Sequence, residues 1–172
     1  MRPEKAILSE FIDNAIYRLE EGMRMVEISL NGISEEELWQ KPNTASNSIA
    51  NILLHVCGNI SQYAISSLGE RPDIRERALE FSVNSGAKKK ELLEKLTYTV
   101  LDAKSVITHC SLEKLLHKRE VQGFSYSGIG IIIHVVEHFS YHTGQIAFWV
   151  KQLKNKDLEF YKDVDLSIKN KD

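Results

Sequence analysis

The chain has 172 residues, 42% of them hydrophobic and 27% charged, a size and balance that suit one soluble domain built around one core. Its 22 basic and 24 acidic residues leave a formal net charge of −2, which argues against the basic field that nucleic-acid binding uses. No apolar run approaches the roughly 20 residues of a membrane helix; the longest, IGIIIHVV at 129–136, is short and carries a histidine.

The opening stretch, MRPEKAILSEFIDN, turns charged at once and lacks an apolar signal core. Ile7, Phe11, Ala15, Leu19, Met23, Val26 and Leu30 then recur at steps of three and four, which predicts an amphipathic helix from Pro3 to Leu30 that stops at Asn31-Gly32. The connector ISEEELWQKPNTASN holds one short helical turn capped by Ser34. A second helix is expected to open at Ser46 or Asn47 and to close at Gly69. After the loop GERPDIRERALEFSVNSGA, a third runs from about Ala87 to Cys110 on Leu92, Leu93, Leu96, Val100, Leu101, Ala103 and Ile107. The stretch SLEKLLHKREVQGFSYSG leads to a fourth, from about Ser127 to Leu153.

No strand alternation or repeat stands out, and the three prolines lie at or between the helical patterns. The expected fold class is therefore all-α, a four-helix bundle, with residues 1–160 as the domain and 161–172 as a polar, frayed tail. Connections of more than ten residues leave room for a non-sequential arrangement of the helices. Cys57 and Cys110 fall in apolar helical patterns and read as buried free thiols, consistent with a cytoplasmic protein.

The visible chemistry is concentrated in HVVEHFSYHTGQI, residues 134–146, where His134, His138 and His142 follow at steps of four. Residues four apart on a helix differ by about 40° and stand one turn apart on one face. His138 and His142 thus share the face of Ile131, Val135, Ile146 and Trp149, the buried one. Imidazoles facing a core need partners, because a buried polar group without one costs about 1–3 kcal/mol. A metal ion satisfies several at once. A third ligand from a facing helix is available in NILLHVCGN, where His55 sits among Ile49, Ile52, Leu53, Val56 and Ile60.

Two other readings stand beside this one. The histidines could be core residues satisfied by ordinary hydrogen bonds. His134-x-x-Glu137-His138 also spells the inverted zinc-protease pattern, although Glu137 points about 120° away from the apolar face and only Glu159 remains downstream as an acidic ligand. His109 and His117, near and beyond the end of the third helix, are expected to face solvent. Gly144 is read as a site of close helix packing.

Two stretches carry a family likeness. HVVEHFSYHTGQI and NILLHVCGNISQYAISSLGERPDIRERALEF, the latter with its His-x-x-x-Asn and Arg-x-Arg-x-x-Glu-Phe, resemble the DinB-like (DinB/YfiT) metal-binding four-helix bundles over about residues 5–155. The resemblance implies up-down-down-up connectivity, frequent homodimers, and a metal triad of His55, His138 and His142, with His134, Gln145 and Asn59 as pocket residues. Relatives of this kind include transferases that use bacillithiol or mycothiol and a mycothiol-dependent isomerase. The expectation is a divalent metal (Zn²⁺, Ni²⁺ or Fe²⁺), a low-molecular-weight thiol, a small electrophilic substrate, and neither nucleic-acid nor membrane partners. The alternative is a non-catalytic bundle whose metal is structural or sensory.

Overall fold

Ile12, Ala15, Leu19, Met23, Val26 and Leu30 form the buried stripe of α1 (Pro3–Asn31) in the computed structural model, which describes residues 3–170. Equivalent stripes on three more helical segments close a single apolar core. These are α3 (Ile49–Ile60), which runs on as a π-helical segment (Ser61–Leu68), α5 (Lys89–Thr108) and α7 (Gly128–Lys154). The short helices α2 (Glu35–Trp39), α4 (Arg77–Ser82) and α6 (Leu112–Leu116) lie in the connections.

α1 packs on α5 and α7, and α3 packs on the same two. The result is a four-helix bundle with the cyclic order α1, α5, α3, α7, in which chain neighbours are not always spatial neighbours. The connection bearing α2 is tied down by Trp39, whose Nε1 donates to Ala87 O at 3.1 Å. No helix among the described residues is long and apolar enough to cross a membrane.

Local chemistry explains the boundaries, and several differ from the expectation. α2 has the expected Ser34 cap, completed by a reciprocal bond from Ser34 N–H to Glu37. α3 opens one or two residues late, because Ser48, not Ser46 or Asn47, makes a capping box with Asn51. α5 begins at Lys89 rather than near Ala87, with Glu91 accepting from the Lys88 N–H at 2.8 Å. At the far end of the π segment the left-handed residue is Glu70 (φ 56), not Gly69.

The stretch before α7 holds the one departure from all-helical structure among the described residues, an antiparallel hairpin of β1 (Lys118–Val121) and β2 (Phe124–Ser127). Its two-residue turn places both Gln122 (φ 51) and Gly123 (φ 79) at positive φ, as a type I′ turn requires. Two strands of four residues each, half of them exposed, leave little alternation to read, and the sequence pattern gives no sign of this hairpin.

Close helix approach occurs elsewhere than at Gly144. A Cβ on Gly144 would meet nothing within 4 Å, whereas one on Gly22 would lie 2.8 Å from the Phe139 ring. The α1–α7 contact therefore depends on Gly22. After α7 the chain turns at Asn155 (φ 47) and lies back on the bundle, with Leu158 against the core and Phe160 O accepting from Arg24 Nη1 at 2.8 Å. Residues 171–172 of the polar tail, and residues 1–2 at the start of the expected domain, lie outside the described residues.

Candidate metal centre

The Ser48 cap starts α3 so that Ile49, Leu53, Val56 and Ile60 are buried, and His55 is buried with them at 8% exposure. On α7, Ile131, Val135, Phe139 and Ile146 set the buried face, and His138 and His142 lie half-buried beside it. The packing of α3 on α7 brings the three imidazoles together. One ring nitrogen from each lies within 4.8 Å of the others, an arrangement that could hold a metal ion. Ring centroids are 4.5 Å apart for His138–His142 and 5.0 Å for both His55–His138 and His55–His142.

The donor set fits a cation. His55 Nε2 and His138 Nε2 face each other at 3.2 Å. Two bare lone pairs cannot do so unshared, so either one nitrogen carries a proton or a cation lies between them. His142 Nδ1 lies 2.7 Å from Gln145 Oε1, an acceptor, so Nδ1 carries the hydrogen and Nε2 is left as a lone pair. Buried His138 Nδ1 has no partner at all, an orphan that marks the cluster as more than a satisfied core network.

The electrostatics keep these rings neutral, the form that binds metal. Burial is the largest cause in each case. It holds His55 and His142 below the ordinary imidazole value, partly offset by hydrogen bonds to Glu80 and Gln145 respectively. Burial and then the neighbouring His142, His55 and His134 push His138 down to about 3.

His134 is one turn away from the triad. Its ring stacks on Tyr63 of the π segment with centroids 4.1 Å apart and on His138 at 5.4 Å. Asn59 Nδ2 lies 3.2 Å from His134 Nε2, while Asn59 Oδ1 is buried without a partner. A π-helical turn that carries a residue into a site is a recurrent device. Glu137 is exposed and does not join the cluster of His55, His138 and His142, so the inverted protease pattern lacks its base at the triad. His109 and His117 are exposed. Cys57 and Cys110 are buried free thiols; burial pushes Cys57 up to about 12 and also raises Cys110.

Two side chains at the centre were not anticipated, Arg75 and Glu80. Glu80 Oε2 lies 2.9 Å from His55 Nδ1, and Arg75 bonds both oxygens of Glu80, Nε to Oε1 at 2.7 Å and Nη2 to Oε2 at 2.9 Å. Burial pushes the Glu80 carboxyl up, but the hydrogen bonds from Arg75 and His55 outweigh it and hold the group below its ordinary value. The only sequence signal was the Arg75-x-Arg77-x-x-Glu80-Phe81 run, which by itself looks like a solvated charged turn. Its Arg77 does behave that way, lying over the Phe81 ring at 5.1 Å.

The protein family described as "Protein of unknown function (DUF1572)" matches residues 6–168. Among solved structures, the fold is similar to the crystal structure of a DinB-like protein, YjoA, from Bacillus subtilis. The two share 16% sequence identity at a TM-score of 0.66, over 88% of this chain and 96% of that one. No curated protein matches the chain by sequence.

Proposed function

Because the chain belongs to the DUF1572 family, a DinB-like family, we propose that it is a divalent-metal protein that transfers a low-molecular-weight thiol, of bacillithiol type, to small electrophiles. The observation that carries this reading is the convergence of three neutral imidazoles, His55, His138 and His142, half-open to solvent on α7. A divalent ion held there supplies the lowered thiol pKa that yields a nucleophile at neutral pH. Held by three uncharged imidazoles, His55, His138 and His142, a divalent ion would keep its positive charge largely unquenched, and the site would favour an anionic sulfur.

The other residues have roles in this reading. Gln145 keeps the His142 ring turned toward the triad. Tyr63 and Tyr126 flank His134 with aromatic surface, which shields the reacting atoms from water. The free carbonyl of Asn59 offers an acceptor to a substrate N–H or O–H. Neither cysteine of the chain can serve as nucleophile, buried as both are with raised pKa values, so the thiol comes from outside.

The test is conjugation of several small thiols to a haloarene or an epoxide, with metal-loaded protein, metal-stripped protein and His138→Ala. Activity should require the metal and fall to the uncatalysed rate in the variant. Rates indifferent to both changes overturn the mechanism.

A second reading is favoured by one feature: the triad joins α3 to α7, so an ion there would also staple the bundle. Full metal loading with no activity toward any thiol would select that reading. The proposal also includes a cytoplasmic homodimer that acts on a small molecule, without nucleic-acid or membrane partners. Exposed Ile7 and Tyr17 on α1 and Ile133 and Phe148 on α7 support an apolar interface between copies. Light scattering should give twice the chain mass at micromolar concentration, and a monomer there rejects the dimer.

A further inference from the structure

The segment between Gly69 and α4 has no regular structure, yet it delivers a guanidinium whose side chain is only 3% exposed. Arg75 holds both oxygens of Glu80 and also donates from Nη1 to Gln62 Oε1 at 2.9 Å. α4 itself is pinned to α3 by Asn51, whose Nδ2 donates to Glu80 O at 3.0 Å and Val83 O at 2.8 Å. Two independent sets of bonds thus fix where the Glu80 carboxylate lies.

That position decides the proton on His55. An ionised carboxylate only accepts hydrogen bonds. With Glu80 Oε2 at 2.9 Å, His55 Nδ1 must therefore carry the hydrogen, since a bare lone pair would face an anion. Arg75 Nη2 is 3.2 Å from the same Nδ1, but both are donors, and they meet only because they share Oε2 as acceptor. The lone pair is left on Nε2, the atom that faces His138.

The backbone has a vacancy for this pair. Gly58 lies three residues after His55 on α3, and a Cβ there would fall 2.0 Å from Glu80 Oε1 and 2.9 Å from Arg75 Nε. Any side chain at 58 would expel the carboxylate.

We propose that Glu80, held by Arg75 in the space that Gly58 leaves open, is a positioning residue of the histidine centre: it locks His55 in the Nδ1–H tautomer and aims Nε2 at the triad. Its consequence for metal affinity rests on the metal reading above, whereas the tautomer does not. Outer partners of histidine ligands typically contribute about 10–100-fold in affinity.

Nitrogen-15 NMR of the metal-free wild-type protein should show His55 protonated at Nδ1 and bare at Nε2, and the reverse tautomer overturns the proposal. Zn²⁺ titration against a competing chelator should then show binding weakened about 10–100-fold in Glu80→Gln and in Gly58→Ala. Circular dichroism establishes that each variant is folded. Gly58→Ala removes no charged or hydrogen-bonding group, so its loss of affinity cannot be assigned to a missing charge. If Glu80→Gln fails to fold, Gly58→Ala and the wild-type tautomer still decide. Folded variants that match a Zn²⁺-binding wild type overturn the positioning role. A wild type that takes up no Zn²⁺ overturns the metal reading instead, and the tautomer measurement still decides the Glu80–His55 relationship.

Discussion

His55 Nε2 and His138 Nε2 stand 3.2 Å apart although 83 residues separate them in the chain. The contact joins the middle of α3 to the middle of α7, and His142 completes the cluster from one turn further along. Everything proposed about the chemistry depends on this meeting of two helices.

Removing the members of the α7 stripe should separate their roles. His142→Ala is expected to abolish Zn²⁺ binding, because it deletes one of three clustered ring nitrogens. His134→Ala should weaken it less than about tenfold, the lower end for an outer partner, since His134 stacks on His138 without joining the cluster. Isothermal titration of both variants measures this. The opposite order would restore the register of the inverted protease pattern.

Acid should destabilise the metal-free protein, with a sign that follows from the histidines. All four rings of the region have folded pKa values below the unfolded one, His138 as low as about 3. Between the unfolded value and the folded one the unfolded chain binds more protons, so stability rises with pH there. Above the unfolded value of about 6.5 these groups contribute no pH dependence. The melting temperature should thus fall as pH drops below about 6.5 and continue to fall toward about 3. The fall should be shallower in His138→Gln. Equal slopes in the two proteins would show that His138 is not the group responsible.

Gly144→Ala should stabilise the protein. Glycine inside an exposed helix costs about 1 kcal/mol relative to alanine, and a Cβ at 144 has open space on every side. A urea midpoint raised by an amount equivalent to about 0.5–1 kcal/mol is the expected result. A loss of stability would mean that another surface, such as a second copy of the chain, lies against this glycine.

The helices themselves were legible because their information is local. The steps of three and four on α1, α5 and α7, the Ser34 cap and the left-to-right order of the four long segments all lie within single stretches of chain. So does the shared face of His138 and His142, which follows from helical geometry alone. His55 as their partner was a weaker inference from the same pattern, and the packing of α3 on α7 brings it there.

The residue pattern alone therefore specifies a bundle of four long helices and a face of α7 dense in imidazoles. Packing decides which helices are neighbours, that Gly22 and Gly58 rather than Gly144 admit close approach, and that Arg75 and Glu80 lie behind His55. Periodicity reports which side of a helix is apolar, but not what covers it. A charged pair in a connecting loop has no period at all. Its burial depends on a vacancy at Gly58, on a bond from Asn51 to Glu80 O and one from Arg75 to Gln62, and on the path of the chain between them, relations across 13 to 29 residues that no local pattern encodes.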